Sequence, residues 1–216
     1  LPTGWSMVVG LLGEIARQFW HRLRFAFQPM FTDAEPDEPP LSADRLKLTR
    51  AYLLLGFIDT LANTVNFGDL YINLRALNFT EAARRKSPEL AHSYSNVAYT
   101  FGIAGQHQFA RAYFHRAHTA LTGLENLPIQ GWVLSPANLY AIGVGDWQAG
   151  ERGCVQALEG SQRLGDHRNW VINQQMLGGI VIFQGQFERG TKLFTEIHQA
   201  SMANHHLEHQ ALGLVG

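Results

Sequence analysis

An all-α fold is what this sequence predicts, built as a solenoid of stacked helical hairpins with a period of about forty residues. Three observations carry that prediction. Glycines ahead of a polar–aromatic step stand at 105 (GQHQF), 145 (GDW) and 185 (GQF), so the same punctuation returns twice at a spacing of 40. Five residues on come Ala110, Gly150 and Gly190; nine on come Phe114, Cys154 and Phe194; twelve on come Ala117, Ala157 and Ile197. These follow one another at i, i+4 and i+7, the spacing of a helix with one buried face. No long alternation of β-branched residues competes with helix. Glycine suits the turn because it takes a positive φ without steric cost. One hairpin cannot bury its apolar face alone, so neighbours must stack.

The elements follow in order. Residues 1–26 read as a lead helix, with Trp5, Val8, Leu12, Ile15, Phe19 and Leu23 near one face. That stripe is expected to dock on the repeats or on another domain. Its aromatics, with Arg17, Arg22 and Arg24, leave a membrane-surface helix as the alternative. Residues 27–42 read as a linker: four acids and three prolines between 32 and 40 favour extended, solvated chain. Residues 43–216 read as the repeats. Ser42 is a good N-cap for their first helix. Stepping back 40 from Gly105 reaches a degenerate copy, with Leu70, Leu74 and Leu77 at the stripe positions. Ser87-Pro88-Glu89 starts another helix, with proline in the first turn. Pro136 falls inside the first helix of its unit, which must start late or kink there.

Composition agrees with a packed, soluble chain. Apolar residues are 46% and charged residues 16% of 216, and the net charge is −1. That balance gives no basic excess for nucleic acid or for an anionic membrane. A single cysteine, Cys154, excludes an internal disulfide and a thiolate zinc cage and fits a cytoplasmic setting. No apolar run is long enough to span a membrane, and the start is a poor signal peptide, with Glu14 and Arg17 inside its apolar part. The chain begins without Met and is read as a piece of a longer protein.

Catalytic chemistry is not signalled. There is no GxxxxGK[ST] phosphate loop, no HExxH, no GxSxG and no CxxC. No catalytic residue, cofactor or metal is expected. His205 and His209 stand at i, i+4 with His206 and Glu208 nearby, and could share a metal on a helix; no third ligand is fixed by the spacing, and a solvated face is preferred. His115 and His118 read as a polar outer face. Cys154, at a stripe position, reads as a small buried hydrophobe. Arg75, Arg84, Arg85 and Lys86 are either a basic patch for a partner or phosphate, or the solvated end of a helix, where cations complement the dipole.

The small–aromatic–small stripe after a turn glycine resembles the tetratricopeptide repeat (TPR). Tyr94, Ala98, Phe101, Ala110, Phe114 and Ala117 match its consensus positions, as do Leu177, Gly178, Gly185 and Phe194 in the last full unit. The usual repeat is 34 residues long, and 40 is a departure; the excess falls between units, in TGLENLPIQG and EGSQRLGDHRN. The phrase order LLGEIARQFWHRL, acidic linker, YLLLGFIDTLANTVNFGDLYINLRALNFTEAA, SPELAHSYSNVAYTFGIAGQHQFARAYFHRA and LEGSQRLGDHRNW resembles the region after the ATPase domain in large bacterial signalling proteins. Those proteins join a class III adenylate or guanylate cyclase, or a protein kinase, to a STAND-type AAA ATPase and a TPR tail.

The resemblance implies a non-catalytic scaffold or regulatory module, or alternatively a stand-alone adaptor. It also implies that the first helix of each unit lines a concave, partner-binding face. That register puts His92, Ser95, Tyr99, Trp132, Leu139, Ile172 and Gln175 on the face. Ser95/Tyr99 and Gln175/Gly179 replace the Lys and Asn that grip a C-terminal carboxylate in some TPR proteins. A helix or extended peptide, or the parent's own ATPase domain, is therefore the expected partner.

Overall fold

The computed structural model describes residues 4–27, 43–61, 67–123 and 127–203. These are helical, in the order α1 (Trp5–Phe27), α2 (Ala43–Leu61), α3 (Phe67–Glu81), α4 (Pro88–Ile103), α5 (His107–Leu121), α6 (Leu127–Gly143), α7 (Trp147–Leu164), α8 (His167–Phe183) and α9 (Phe187–Ala203). No strand occurs among the described residues, so the fold is all-α. The chain divides into two compact units, Leu1–Leu124 and Glu125–Gly216. Of the expected linker, 27–42, residue 27 closes α1; residues 28–42, Ser42 among them, and the 205–209 histidine group lie outside the described residues.

Three turns share one geometry. Gly105, Gly145 and Gly185 have φ of +73°, +77° and +78°. The next residue's N–H reaches back to the same carbonyl each time: Gln106 to Phe101 at 2.8 Å, Asp146 to Ala141 at 2.9 Å and Gln186 to Val181 at 2.8 Å. This is the left-handed glycine cap that satisfies the orphan carbonyls of a helix end. A Cβ at any of the three would meet nothing within 4 Å, so backbone conformation rather than space demands glycine. Each turn joins a tightly packed pair: α4 with α5, α6 with α7, and α8 with α9.

In the first unit α3 is central, packed against α1, α2 and α4. It is buried on nearly every side, through Tyr71, Ile72, Leu74, Ala76 and Leu77, while Leu70 is half-buried. The α4 helix starts as its sequence dictates: the Ser87 side chain accepts from the Leu90 N–H at 3.1 Å, and Pro88 occupies the first turn. It packs against both α2 and α3. At the far end of the next helix, the Lys86 ammonium donates to the Thr122 carbonyl at 3.2 Å, a cation at a helix C-terminus.

In the second unit α8 packs against both α6 and α7, and α9 packs on α8. Asp146 and Asp166 cap α7 and α8 by accepting from Ala149 and Asn169 N–H groups at 3.0 and 3.1 Å. The small residue after each turn is where the helices close. A Cβ on Gly150 would come 3.0 Å from Ile180, and one on Gly190 would come 2.5 Å from Ile182. Cys154 is enclosed by Leu158, Leu177, Ile180 and Val181, and burial pushes its thiol up to about 12.

Of the two alternatives for Pro136, the late start does not hold, because α6 runs through it; the Ser135 hydroxyl donates to the Gly131 carbonyl at 2.9 Å one residue before the proline. One detail differs from the sequence reading. On α5 the buried aromatic is Tyr113, beside Ala110, Ala117 and Ala120, and Phe114 is only half-buried. Tyr113 stacks on Phe101, 5.6 Å between centroids, which turns it inward.

Candidate functional site

The residues expected on the partner face lie on α4, α6 and α8, the first helix of each hairpin. In the second unit, α6 and α8 meet along a polar seam. The Asn138 amide donates to Asn173 at 3.3 Å, and the Asn173 amide donates to the Ser135 hydroxyl at 3.1 Å and the Asn169 carbonyl at 2.9 Å. The Asn169 amide in turn donates to Asp166 at 2.7 Å. These side chains are buried, or nearly so, and fix the two helices in register. Beside the seam run Trp132 and Leu139 on α6, and Arg168, Ile172 and Gln175 on α8, at i, i+4 and i+7. The Arg168 guanidinium lies over the Trp132 ring at 5.9 Å, so the two stripes meet there. Trp132, Leu139, Ile172 and Gln175 are all half-buried.

In the first unit, His92 and Tyr99 stand seven residues apart on one stripe of α4 and are half-buried. Burial holds the His92 imidazole down at about 4, so it is neutral at physiological pH. It also raises the Tyr99 phenol. Ser95 is a correction: it has no exposed surface and belongs to the interior rather than to a face.

The lead helix brings a second group of residues that the apolar pattern did not reveal. The face α1 turns toward α3 is polar. Glu14, 3% exposed, accepts from Arg17 at 2.9 Å, from Arg75 at 3.0 Å and from the Asn78 amide at 2.7 Å. The Gln18 amide donates to Asn78 and Glu81, both at 2.7 Å, and its oxygen accepts from the Tyr113 hydroxyl at 2.9 Å. Glu81 also takes the Tyr94 hydroxyl at 2.6 Å, His21 Nδ1 at 2.8 Å and the Arg22 guanidinium. Burial first, then Arg22, Arg17 and Arg24, lowers the His21 pKa. A neutral His21 facing a carboxylate must carry its proton on Nδ1 and donate it. Burial raises both phenols, Tyr94 and Tyr113.

The cluster's cations are also sandwiched by rings. Arg22 lies over Phe25 and Tyr113 at 5.5 and 5.6 Å, and Arg75 over Tyr71 and Phe79 at 5.6 and 5.3 Å. Glu81 already accepts from Gln18, Tyr94 and His21 and pairs with Arg22, and Glu14 accepts from Arg17, Arg75 and Asn78. The cluster acts as a clamp that ties α1, α3, α4 and α5 together. Arg75 therefore belongs to this clamp and does not extend the Arg84–Lys86 run.

The opposite face of α1 does not dock on the described repeats, one of the two contacts expected for its apolar stripe. Trp5 is 81% exposed, Phe19 72%, Trp20 62% and Leu12 61%, with Val8, Val9, Ile15 and Leu23 exposed beside them. Among the described side chains of this helix, Leu11 is the one apolar residue that is fully buried. The signal in the sequence was Glu14, Gln18 and His21 at i, i+4 and i+7, a second, polar periodicity opposite the first.

The remaining candidates are placed plainly. His115 and His118 are exposed on α5. Among the described residues no group of three His, Cys, Asp or Glu side chains is arranged to hold a metal ion, and no helix is long and apolar enough to cross a membrane. No protein-family model matches the chain, and no curated protein is significantly similar to it.

Proposed function

We propose that this chain is a non-catalytic, TPR-like helical-repeat module that works by binding protein, as the regulatory or scaffolding part of a larger cytoplasmic ATPase–cyclase or kinase-type signalling protein. The observation that carries the reading is the recurrence of one packing unit. In each compact unit, the first helix of the second hairpin packs against both helices of the hairpin before it. Three of the hairpins close through the same positive-φ glycine turn, 40 residues apart. Helical hairpins that stack in this way are the building blocks of solenoids.

The half-buried stripes fit a surface for a helix or extended peptide. Trp132 under Arg168, flanked by Leu139, Ile172 and Gln175, combines an aromatic anchor with polar neighbours, the composition that carries binding energy when covered. Cys154 is enclosed, with its thiol pushed up to about 12, and is no nucleophile.

The test is direct binding of a nucleoside triphosphatase domain encoded in the same reading frame, followed by fluorescence anisotropy of the labelled chain. Trp132→Ala and Ile172→Ala are expected to keep the helical circular dichroism and to weaken binding at least about tenfold, the scale of a buried aromatic or aliphatic anchor. Unchanged binding in both variants removes this face from the reading. Turnover of ATP or GTP by the pure chain, lost on substituting a residue within it, overturns the non-catalytic assignment.

A further inference from the structure

The outward face of α1 has a composition of its own. On a helical wheel Trp5, Val8, Val9, Leu12, Ile15, Ala16, Phe19, Trp20 and Leu23 fill a continuous arc of about 140°, uninterrupted by charge. All nine are exposed. The opposite side carries the Glu14–Gln18–His21 clamp, so α1 is fixed to the domain with its apolar side outward.

The charges beside the arc have one sign. Arg17 and Arg24 are exposed on one flank and Arg22 is half-buried on the other. Glu14 is the only acid in the helix, and it is buried under Arg17 and Arg75. Every charge that α1 leaves at its surface is therefore positive, although the whole chain carries −1. From these observations we propose that α1 is an interfacial anchor that lies on an anionic bilayer surface. Its apolar arc enters the headgroup region, and Arg17 and Arg24 pair with acidic headgroups.

Charge and side-chain chemistry select this occupant. An apolar arc with Trp and Phe on it, bordered by arginines and lying parallel to a surface, is the composition of helices that rest in the membrane interface. Indole and phenyl rings are large enough to fill the boundary between headgroups and acyl chains, and the indole N–H remains able to bond to water. A second copy of the chain would bring arginine flanks against arginine flanks, with no exposed acid on α1 to offset them. A helix that inserts only one face needs no length to span, in keeping with the absence of a membrane-crossing helix among the described residues.

Vesicle flotation of the intact chain decides the matter. Vesicles of phosphatidylcholine alone are compared with vesicles containing about 30% phosphatidylserine, a typical anionic surface. The chain is expected to float with the anionic vesicles and, at low salt, to do so at least about tenfold better than with the neutral ones. The double variant Phe19→Ser/Trp20→Ser is expected to lose about tenfold or more in partitioning, and Arg24→Glu a similar factor, with helical circular dichroism retained in both variants. Collisional quenching of tryptophan fluorescence should fall when vesicles are added. No binding, equal binding to neutral vesicles, or a dimer in light scattering that Phe19→Ser/Trp20→Ser dissociates would each overturn the assignment.

Discussion

The Gln18 side-chain amide donates to the Glu81 carboxylate across 2.7 Å, joining residues 63 apart in sequence and locking α1 onto α3. Glu81 is 2% exposed and also holds Tyr94, His21 and Arg22. Replacing the carboxylate by an amide removes the charge that faces Arg22 and turns one of the two acceptor oxygens into a donor, so part of the Gln18, Tyr94 and His21 set loses its acceptor. Glu81→Gln is expected to cost about 3 kcal/mol. Tyr94→Phe deletes one hydrogen bond and should cost about 1 kcal/mol. Urea midpoints at constant slope measure both. A larger loss for Tyr94→Phe would show that the carboxylate is not the hub.

Ala110 has no exposed surface, whereas His115 on the same helix faces out. Ala110→Trp must overpack the α4–α5 contact and is expected to cost about 3 kcal/mol or more, or to abolish folding. His115→Trp should fall within about 0.5 kcal/mol of the parent. Equal melting shifts for the two would contradict the packing described.

Gly145 and Gly143 separate conformation from space. Neither position would crowd a Cβ, but only Gly145 has a positive φ. Gly145→Ala is expected to destabilise by about 1–2 kcal/mol, and Gly143→Ala to be neutral or slightly stabilising. Thermal melts of the two variants check this. A neutral Gly145→Ala would mean that the turn relaxes without the left-handed residue.

His92 and His21 set the acid limb of stability. Both are lowered from 6.5, His92 to about 4, with burial the first cause. As pH falls from 6.5 toward 4, the unfolded chain takes up protons that the folded chain refuses, so stability falls with pH in that window and is fully present above it. His92→Gln should flatten this limb by at most about 3 kcal/mol, read from denaturant midpoints between pH 7 and about pH 4. A variant whose acid limb matches the parent's would show that His92 is solvated.

Much of α4 to α9 was legible because its determinants are local. A turn glycine, a Ser-Pro helix start and a stripe at i, i+4 and i+7 act over a few residues, and Gly105, Ser87 and Ala110 stand in those roles. The orientation of α1 was missed, because apolar periodicity assumes that the apolar side goes in. The polar spacing of Glu14, Gln18 and His21 was present, but the partners that turn it inward, Arg75, Asn78 and Glu81, lie some 60 residues away. Tyr113 was overlooked for the same reason. Its inward turn depends on Phe101 in the neighbouring helix and on the Gln18 side-chain oxygen, Oε1, in the lead helix. Ser95 was placed on a face by repeat register, yet the α4 interior closes over it.

Which face α1 presents is the point on which its surface role stands, and two adjacent leucines report it. Leu11 is 8% exposed and Leu12 is 61% exposed. The chain's only cysteine, Cys154, is enclosed with its thiol pushed up to about 12, so it adds little background to alkylation. Iodoacetamide labelling of Leu11→Cys and Leu12→Cys, followed by intact mass, measures the two faces under native conditions. The structure predicts that Leu12→Cys reacts near the rate of a free thiol and that Leu11→Cys reacts at least about tenfold more slowly. The reverse order, with Leu12→Cys protected and Leu11→Cys labelled, would show that α1 docks through its apolar side and would contradict the outward-facing helix.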